Sequence, residues 1–141
     1  MRFLSLFDVS YKKSSFDISM LVLRLGFGIL MIPHGYAKYI SFGEKQDSFM
    51  DFMGLGPATS LILAIFAEMI CSALLILGLF TRAATVPLIV TAIVITFMAH
   101  DGDVFGKGYG GFSYLLVYIV LLLVGPGKFS LDAVISSRQK F

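Results

Sequence analysis

Five ionisable side chains stand within or at the ends of apolar stretches of this sequence, where lipid rather than water would surround them. Such a group is costly inside an apolar span, so it usually faces the interior of a helix bundle or a cavity. Histidine titrates near neutrality, and a buried carboxylic acid can exchange protons in the same range. The set therefore predicts a pocket that binds a lipophilic head group, such as that of a quinone, and exchanges protons with it. Its candidate residues are Arg24, His34, Lys38, Glu68 and His100.

Glu68 is the most informative of the five, because it stands near the middle of the apolar stretch 57–80. Two interpretations are open. One is structural, as an ion pair with Arg24 or as a protonated acid bonded to a backbone carbonyl. The other is an acid at the floor of the pocket. Side chains lean toward the N-terminus of their own helix, so Arg24 and Glu68 on antiparallel helices would lean apart. This geometry favours the second interpretation.

His34 and Lys38 are four residues apart and share one helix face, and His100 ends the third apolar stretch on the same side of the membrane. We expect these three residues nearer the mouth of the pocket. The alternatives are two histidines lying independently at the interface, or a haem held between them. The run His-Asp-Gly-Asp at 100–103 could also hold a metal, but a polar turn explains it as well. We predict no metal site.

The composition places the chain in a membrane. Of 141 residues 57% are apolar and 14% are charged, whereas a soluble domain carries about a quarter charged residues. The remaining polar surface is too small to cover a water-soluble globule. A net charge of +2 gives no reason to expect nucleic acid, and a single cysteine excludes an intrachain disulfide. The length predicts one domain, residues 1–141.

Four apolar spans follow one another, at residues 18–37, 57–80, 82–99 and 109–124. About 20 residues of helix cross the roughly 30 Å hydrocarbon core, and strands would leave their backbone unpaired in lipid. We therefore predict an all-α, polytopic membrane protein with a four-helix bundle. The loop after the first span alternates apolar and charged residues, which predicts a short amphipathic helix over the outer face. Residues 1–7, which precede Lys12 and Lys13, are expected either to lie on the membrane surface or to form a frayed tail.

Basic residues outside the spans predict the orientation. Three lie on the side of the loops 40–56 and 100–108, namely Lys38, Lys45 and Lys107. Seven lie on the other side, and positive charge collects in the cytoplasm, so we predict that both termini are cytoplasmic. The seven are Arg2, Lys12, Lys13, Arg82, Lys128, Arg138 and Lys140.

Four segments carry recognisable motifs: LRLGFGILMIPHGYAK, MGLGP, AEMICSALLILGLFTR and GKGYGGFSYLLVYIVLLLVGPGKFSLD. Through them most of residues 21–132 resembles the DoxX family of small four-helix bacterial membrane proteins. The resemblance implies the bacterial inner membrane and, from the family's archetype, a subunit of a thiosulfate:quinone oxidoreductase that works with a partner subunit. By position, the family's recurring polar residues fall on Arg24, His34, Lys38 and Glu68. Family members often have Glu two residues after the glycine pair of the fourth span, where this chain has Ser113.

We therefore expect a redox-associated, quinone-linked membrane subunit that is not a complete enzyme alone. Quinone is the cofactor expected, and the expected partners are the lipid bilayer, a redox subunit and further copies of the chain. The main alternative is a non-enzymatic scaffold or assembly factor whose buried charges only fix helix packing. A third class, a small-solute or proton transporter, would be expected to show an inverted repeat, and the sequence has none.

Overall fold

The computed structural model describes residues 9–138, which fold into helices and connecting turns with no strand among them. The apolar helices are α1 (Lys13–Ile40), α3 (Pro57–Leu77), α4 (Thr81–Ala99) and α5 (Tyr109–Val124). Two short helices accompany them, α2 (Phe42–Lys45) and α6 (Leu131–Arg138). The prediction of an all-helical protein is confirmed. The surface segment expected at residues 1–7 lies outside the described residues.

Helix length and the outer surface agree with a lipid environment. Helices α1, α3 and α4 have 28, 21 and 19 residues and are long and apolar enough to cross a membrane. Helix α5 has 16 residues, so it is about 24 Å long. Large apolar side chains cover the outside of the bundle, where a soluble protein would carry charge. They include Ile29, Leu30, Ile62, Leu63, Leu116 and Leu123.

The helices form a closed bundle in which α1 packs against α3, α3 against α4, α4 against α5, and α5 returns to α1. Glycine allows α1 and α3 to approach closely. A Cβ added at Gly28 would lie 2.6 Å from a side-chain carbon of Ile76, and one at Gly35 would lie 2.8 Å from Cβ of Glu68. Small residues on one face are a common way for membrane helices to pack without a hydrophobic driving force. Gly35 therefore brings α1 against Glu68.

The two ends of the bundle differ in how they are joined. The loop end carries residues 41–56 and 100–108, and the terminal end carries the start of α1 and the end of α5. At the terminal end the Asp132 carboxylate accepts hydrogen bonds from the N–H groups of Phe80 and Thr81, at 2.8 and 2.9 Å. Asp17 accepts one from Lys128 N–H at 2.9 Å. The motif GPGKFSLD thus ties α6 and the preceding turn to α1 and to the α3–α4 turn.

Local chemistry explains the helix boundaries. Pro57 begins α3, where its missing N–H breaks no hydrogen bond. Gly78 ends α3 with a left-handed φ of 67°, which a residue with a Cβ adopts only at a cost. Two stretches are π-helical, Phe66–Cys71 in α3 and Val94–Ala99 in α4. Such wide turns often occur at functional sites; the first lies near the middle of α3 and the second at the loop end of α4.

Candidate functional site

A buried ion pair joins α1 to α3. Lys38 Nζ lies 2.9 Å from Oε1 and 2.8 Å from Oε2 of Glu68, so one ammonium donates to both carboxylate oxygens. The Glu68 side chain is fully buried, whereas 22% of the Lys38 side chain is exposed. A carboxylate with no contact to solvent needs such a partner, because an unpaired buried charge costs several kcal/mol. The pair is the principal polar contact between these helices near the loop end.

The directions of the two helices explain why this pair forms. Helix α1 runs toward the loop end and α3 runs away from it, and each side chain leans toward the N-terminus of its own helix. Lys38 therefore leans into the membrane while Glu68 leans toward the loop end, and the two charges meet. The π-helical turn Phe66–Cys71 contains Glu68. Gly35, one turn before Lys38 on α1, leaves room for the Glu68 backbone.

Three cavities lie beside the pair, and they share the lining residues Lys38, Phe49 and Met50. The rim cavity, of about 520 Å³, lies under the loop and is also lined by His34 and Lys45. The central cavity, of about 500 Å³, is lined by residues of α1, α4 and α5, including His34, His100, Lys107 and Tyr114. The side cavity, of about 320 Å³, lies between α3 and α4 and contains Glu68.

Two histidines and a tyrosine line the central cavity. The His34 ring meets the ring of Tyr114 edge to face, with centroids 6.3 Å apart. His100 Nδ1 lies 2.7 Å from the carbonyl oxygen of Ile95. Since a carbonyl only accepts, Nδ1 carries the proton, and Nε2 of the neutral ring is free to accept one. Within the described residues the Tyr114 hydroxyl has no hydrogen-bond partner, although its ring also packs on Phe27 and Tyr118.

Arg24 lies apart from the other four candidates. It is fully buried near the terminal end, and its Nη2 donates to the carbonyl oxygen of Phe129. It borders none of the three cavities. Its neighbours include Gly78 and Ser130, and no described residue partners its Nε or Nη1. The ion pair between Arg24 and Glu68, left open on the sequence, is absent here, since Glu68 pairs with Lys38.

A model of the family DoxX matches residues 19–101, which is more than half of the chain. The chain belongs to the DoxX family. All five candidate residues lie inside the matched range of this DoxX chain, whereas Tyr114 and the terminal motif GPGKFSLD lie beyond it.

Bacterial relatives of this DoxX chain match along most of their length. The uncharacterized membrane protein Rv3486 of Mycobacterium tuberculosis is 32% identical in an alignment of 135 positions, and the match covers 85% of this chain and 83% of the relative. Inner membrane protein YphA of Escherichia coli K12 is 27% identical in an alignment of 124 positions, and the match covers 82% of this chain and 89% of the relative. No solved structure matches the chain. The DoxX chain is a multi-pass protein of the bacterial inner membrane.

The structure also adds residues that the sequence analysis did not single out. Phe49 and Met50 cover the cavities, although the loop helix itself is only the four residues Phe42–Lys45. Tyr114 lines the central cavity of the DoxX chain, and a tyrosine inside an apolar span was an available signal for it.

Among the described residues, no three His, Cys, Asp or Glu side chains gather where they could hold a metal. Ser113 Oγ donates to the Tyr109 carbonyl at 2.9 Å.

Proposed function

We propose that this DoxX protein is a redox-associated membrane subunit that binds a quinone at its loop end. The observation that carries the proposal is the place of the Lys38–Glu68 pair: Lys38 borders all three cavities, and Glu68 borders the side cavity. An ion pair that only held two helices together would need no cavity beside it. Binding sites for apolar ligands commonly combine apolar walls with a few polar groups that fix orientation. His34, His100 and Tyr114 are such groups around the central cavity.

The residues of the central cavity suit a quinone head group. A quinone takes up two electrons and two protons on reduction, and its two carbonyl oxygens accept hydrogen bonds. The Lys38 ammonium has three protons, of which Glu68 takes up two, so one remains for a ligand. The Tyr114 hydroxyl is a second donor. His100 Nε2 can accept a hydrogen bond, since Nδ1 donates to the Ile95 carbonyl. The electrons would come from a partner redox subunit.

The test is quinone binding by the whole chain in neutral detergent. We expect decylubiquinone to raise the unfolding temperature, because a ligand at one hundred times its Kd stabilises the folded state by about 2.7 kcal/mol. Tyr114→Phe removes one hydrogen bond and should weaken binding about three- to tenfold. Tyr39→Phe is the matched control, since Tyr39 is exposed on α1 outside the cavities. An organic extract of the purified protein should also contain quinone.

The outcome that contradicts the proposal is a folded wild-type protein that neither carries nor is stabilised by any quinone. The scaffold alternative would then stand, and one observation favours it: Lys38 and Glu68 are paired with each other rather than left open to a ligand. A scaffold would lose stability when the pair is broken but would show no saturable response to quinone. Saturable stabilisation by quinone therefore distinguishes a quinone-binding subunit from a scaffold.

We also propose that the four apolar helices all span the membrane as one domain, with both termini in the cytoplasm. The support is the distribution of basic residues together with the shared end of the first and last helices. A cysteine placed at Asp47 should react with a membrane-impermeant maleimide added outside, and one at Ser137 should not. Both positions are exposed and the native Cys71 is buried. Labelling of the wild-type chain, which has only Cys71, therefore measures the background reaction. Labelling of the cysteine at Ser137 but not of the one at Asp47 would show that the topology is the opposite of the one proposed.

A further inference from the structure

The cavities at the loop end carry an excess of positive charge. Three lysines border them: Lys38 borders all three, Lys45 the rim cavity and Lys107 the central cavity. The single carboxylate that lines any of them is Glu68, and it is already bonded to Lys38. With neutral histidines, the walls therefore hold a net charge of +2 from Lys45 and Lys107. This charge is not required by a neutral ligand.

The acidic residues of the loops lie outside the cavities, and among the described residues none of them forms an ion pair with Lys45 or Lys107. The Asp51 carboxylate accepts the Gly56 N–H at 2.9 Å, and the Asp103 carboxylate accepts the Lys107 N–H at 3.2 Å. Both are therefore engaged in loop turns. None of the loop acids borders a cavity, and all are exposed; they are Glu44, Asp47, Asp51, Asp101 and Asp103.

The side cavity differs from the lysine-lined rim and central cavities, because most of its walls are apolar and it faces lipid. Its walls on α3 and α4 include Leu63, Phe66, Val86 and Val90, which are all exposed on the outside of the bundle. An apolar chain could thus pass from the bilayer between α3 and α4 and end beside Lys38. A free inorganic anion would gain nothing from these apolar walls, whereas an apolar chain that already lies in the bilayer can enter between them without exposing its surface to water.

We infer that the three cavities form a site for a bilayer amphiphile with an anionic head group, a carboxylate or a phosphate. The chain of the amphiphile lies in the side cavity between α3 and α4. Its head group lies against the remaining donor of Lys38, with Lys45 and Lys107 at the rim. This inference does not depend on quinone binding, although both ligands would occupy the same cavities. Charge at the head group and an apolar chain are both needed for recognition.

The experiment compares ligands with the same chain and different head groups in neutral detergent. Farnesyl phosphate should bind at least about tenfold more tightly than farnesol, as measured by saturable thermal stabilisation. Inorganic phosphate alone should cause no shift. Lys45→Gln and Lys107→Gln should each weaken binding of farnesyl phosphate about two- to fivefold and leave farnesol unchanged, because each removes one exposed charge. Both side chains are exposed, so both variants should fold.

Two controls complete the design. Lys13→Gln removes an exposed lysine at the other end of α1 and should change no affinity. Val90→Phe narrows the side cavity and should weaken farnesyl phosphate and farnesol alike. Equal binding of farnesol and farnesyl phosphate, or an equal shift with inorganic phosphate, would overturn the inference. Stabilisation by decylubiquinone without stabilisation by farnesyl phosphate would overturn this inference and leave the quinone proposal intact.

Discussion

Lys38→Met should lower the free energy of unfolding by about 3–5 kcal/mol, because it leaves the Glu68 carboxylate buried without a partner. Glu68 has no exposed surface and no second cation within reach among the described residues. Glu68→Met should cost less, since the Lys38 side chain is 22% exposed and can turn its ammonium to water at the loop end. The measurement is unfolding of the purified protein in neutral detergent, followed by helix content.

The double variant Lys38→Met with Glu68→Met should recover most of the lost stability, because replacing both partners of a buried pair by apolar residues is often neutral or favourable. Lys13→Met, at an exposed position near the start of α1, is the matched control and should change little. Wild-type stability in Lys38→Met would show that the pair does not hold α1 against α3. Loss of quinone binding in the stable double variant would separate the role of the pair in ligand binding from its role in folding.

Gly78→Ala should destabilise the protein by about 2–5 kcal/mol, from two causes that act together. The φ of 67° at Gly78 is costly for alanine, and its Cβ would overlap the Arg24 guanidinium and lie 2.5 Å from Cβ of Ser130. Arg24 would then be displaced from the Phe129 carbonyl, which would leave a buried charge without its hydrogen bond. Unfolding in neutral detergent measures the loss.

Gly26→Ala provides the control for this change. Gly26 lies inside α1, close to Arg24 in sequence, and an added Cβ would have nothing within 4 Å. Since alanine is the better helix former by up to about 1 kcal/mol, this variant should be as stable as the wild type or more so. Equal stability of the Gly78 and Gly26 variants would contradict the role assigned to the contact between Arg24 and the terminal motif.

Hydropathy predicted where the apolar helices lie, but it predicted only some of the residues at which they begin and end. Helix α5 begins and ends where the apolar span does, at Tyr109 and Val124. Helix α3 begins at Pro57, as expected for a proline at the start of an apolar span. Helix α1 extends past its predicted span to Lys13 and Ile40, because hydrogen bonding continues after the residues become polar. The π-helical turns have no sequence signal, since they depend on packing between helices.

The sequence contains the information that selects Lys38, rather than Arg24, as the partner of Glu68. The lean of side chains toward their own N-termini, which separates Arg24 from Glu68, brings Lys38 and Glu68 together. Arg24 leans toward the terminal end, where it finds the Phe129 carbonyl. That contact, and those of Asp17 and Asp132, join residues 50 or more positions apart, and no local pattern encodes such distances.

The two ends of the bundle are joined differently, so the bundle consists of two helix pairs that can rotate about a fixed terminal end. Helices α1 and α3 form one arm and α4 and α5 the other, and the hydrogen bonds of Asp17, Arg24 and Asp132 form the pivot at the terminal end. At the loop end, the edge contact between His34 and Tyr114 joins the arms across the central cavity. Helix α1 alone is about 42 Å long, so a small rotation at the pivot becomes a larger separation at the tips. A rotation of one helix pair against the other would therefore change the width of the bundle most at the loop end, where the three cavities lie.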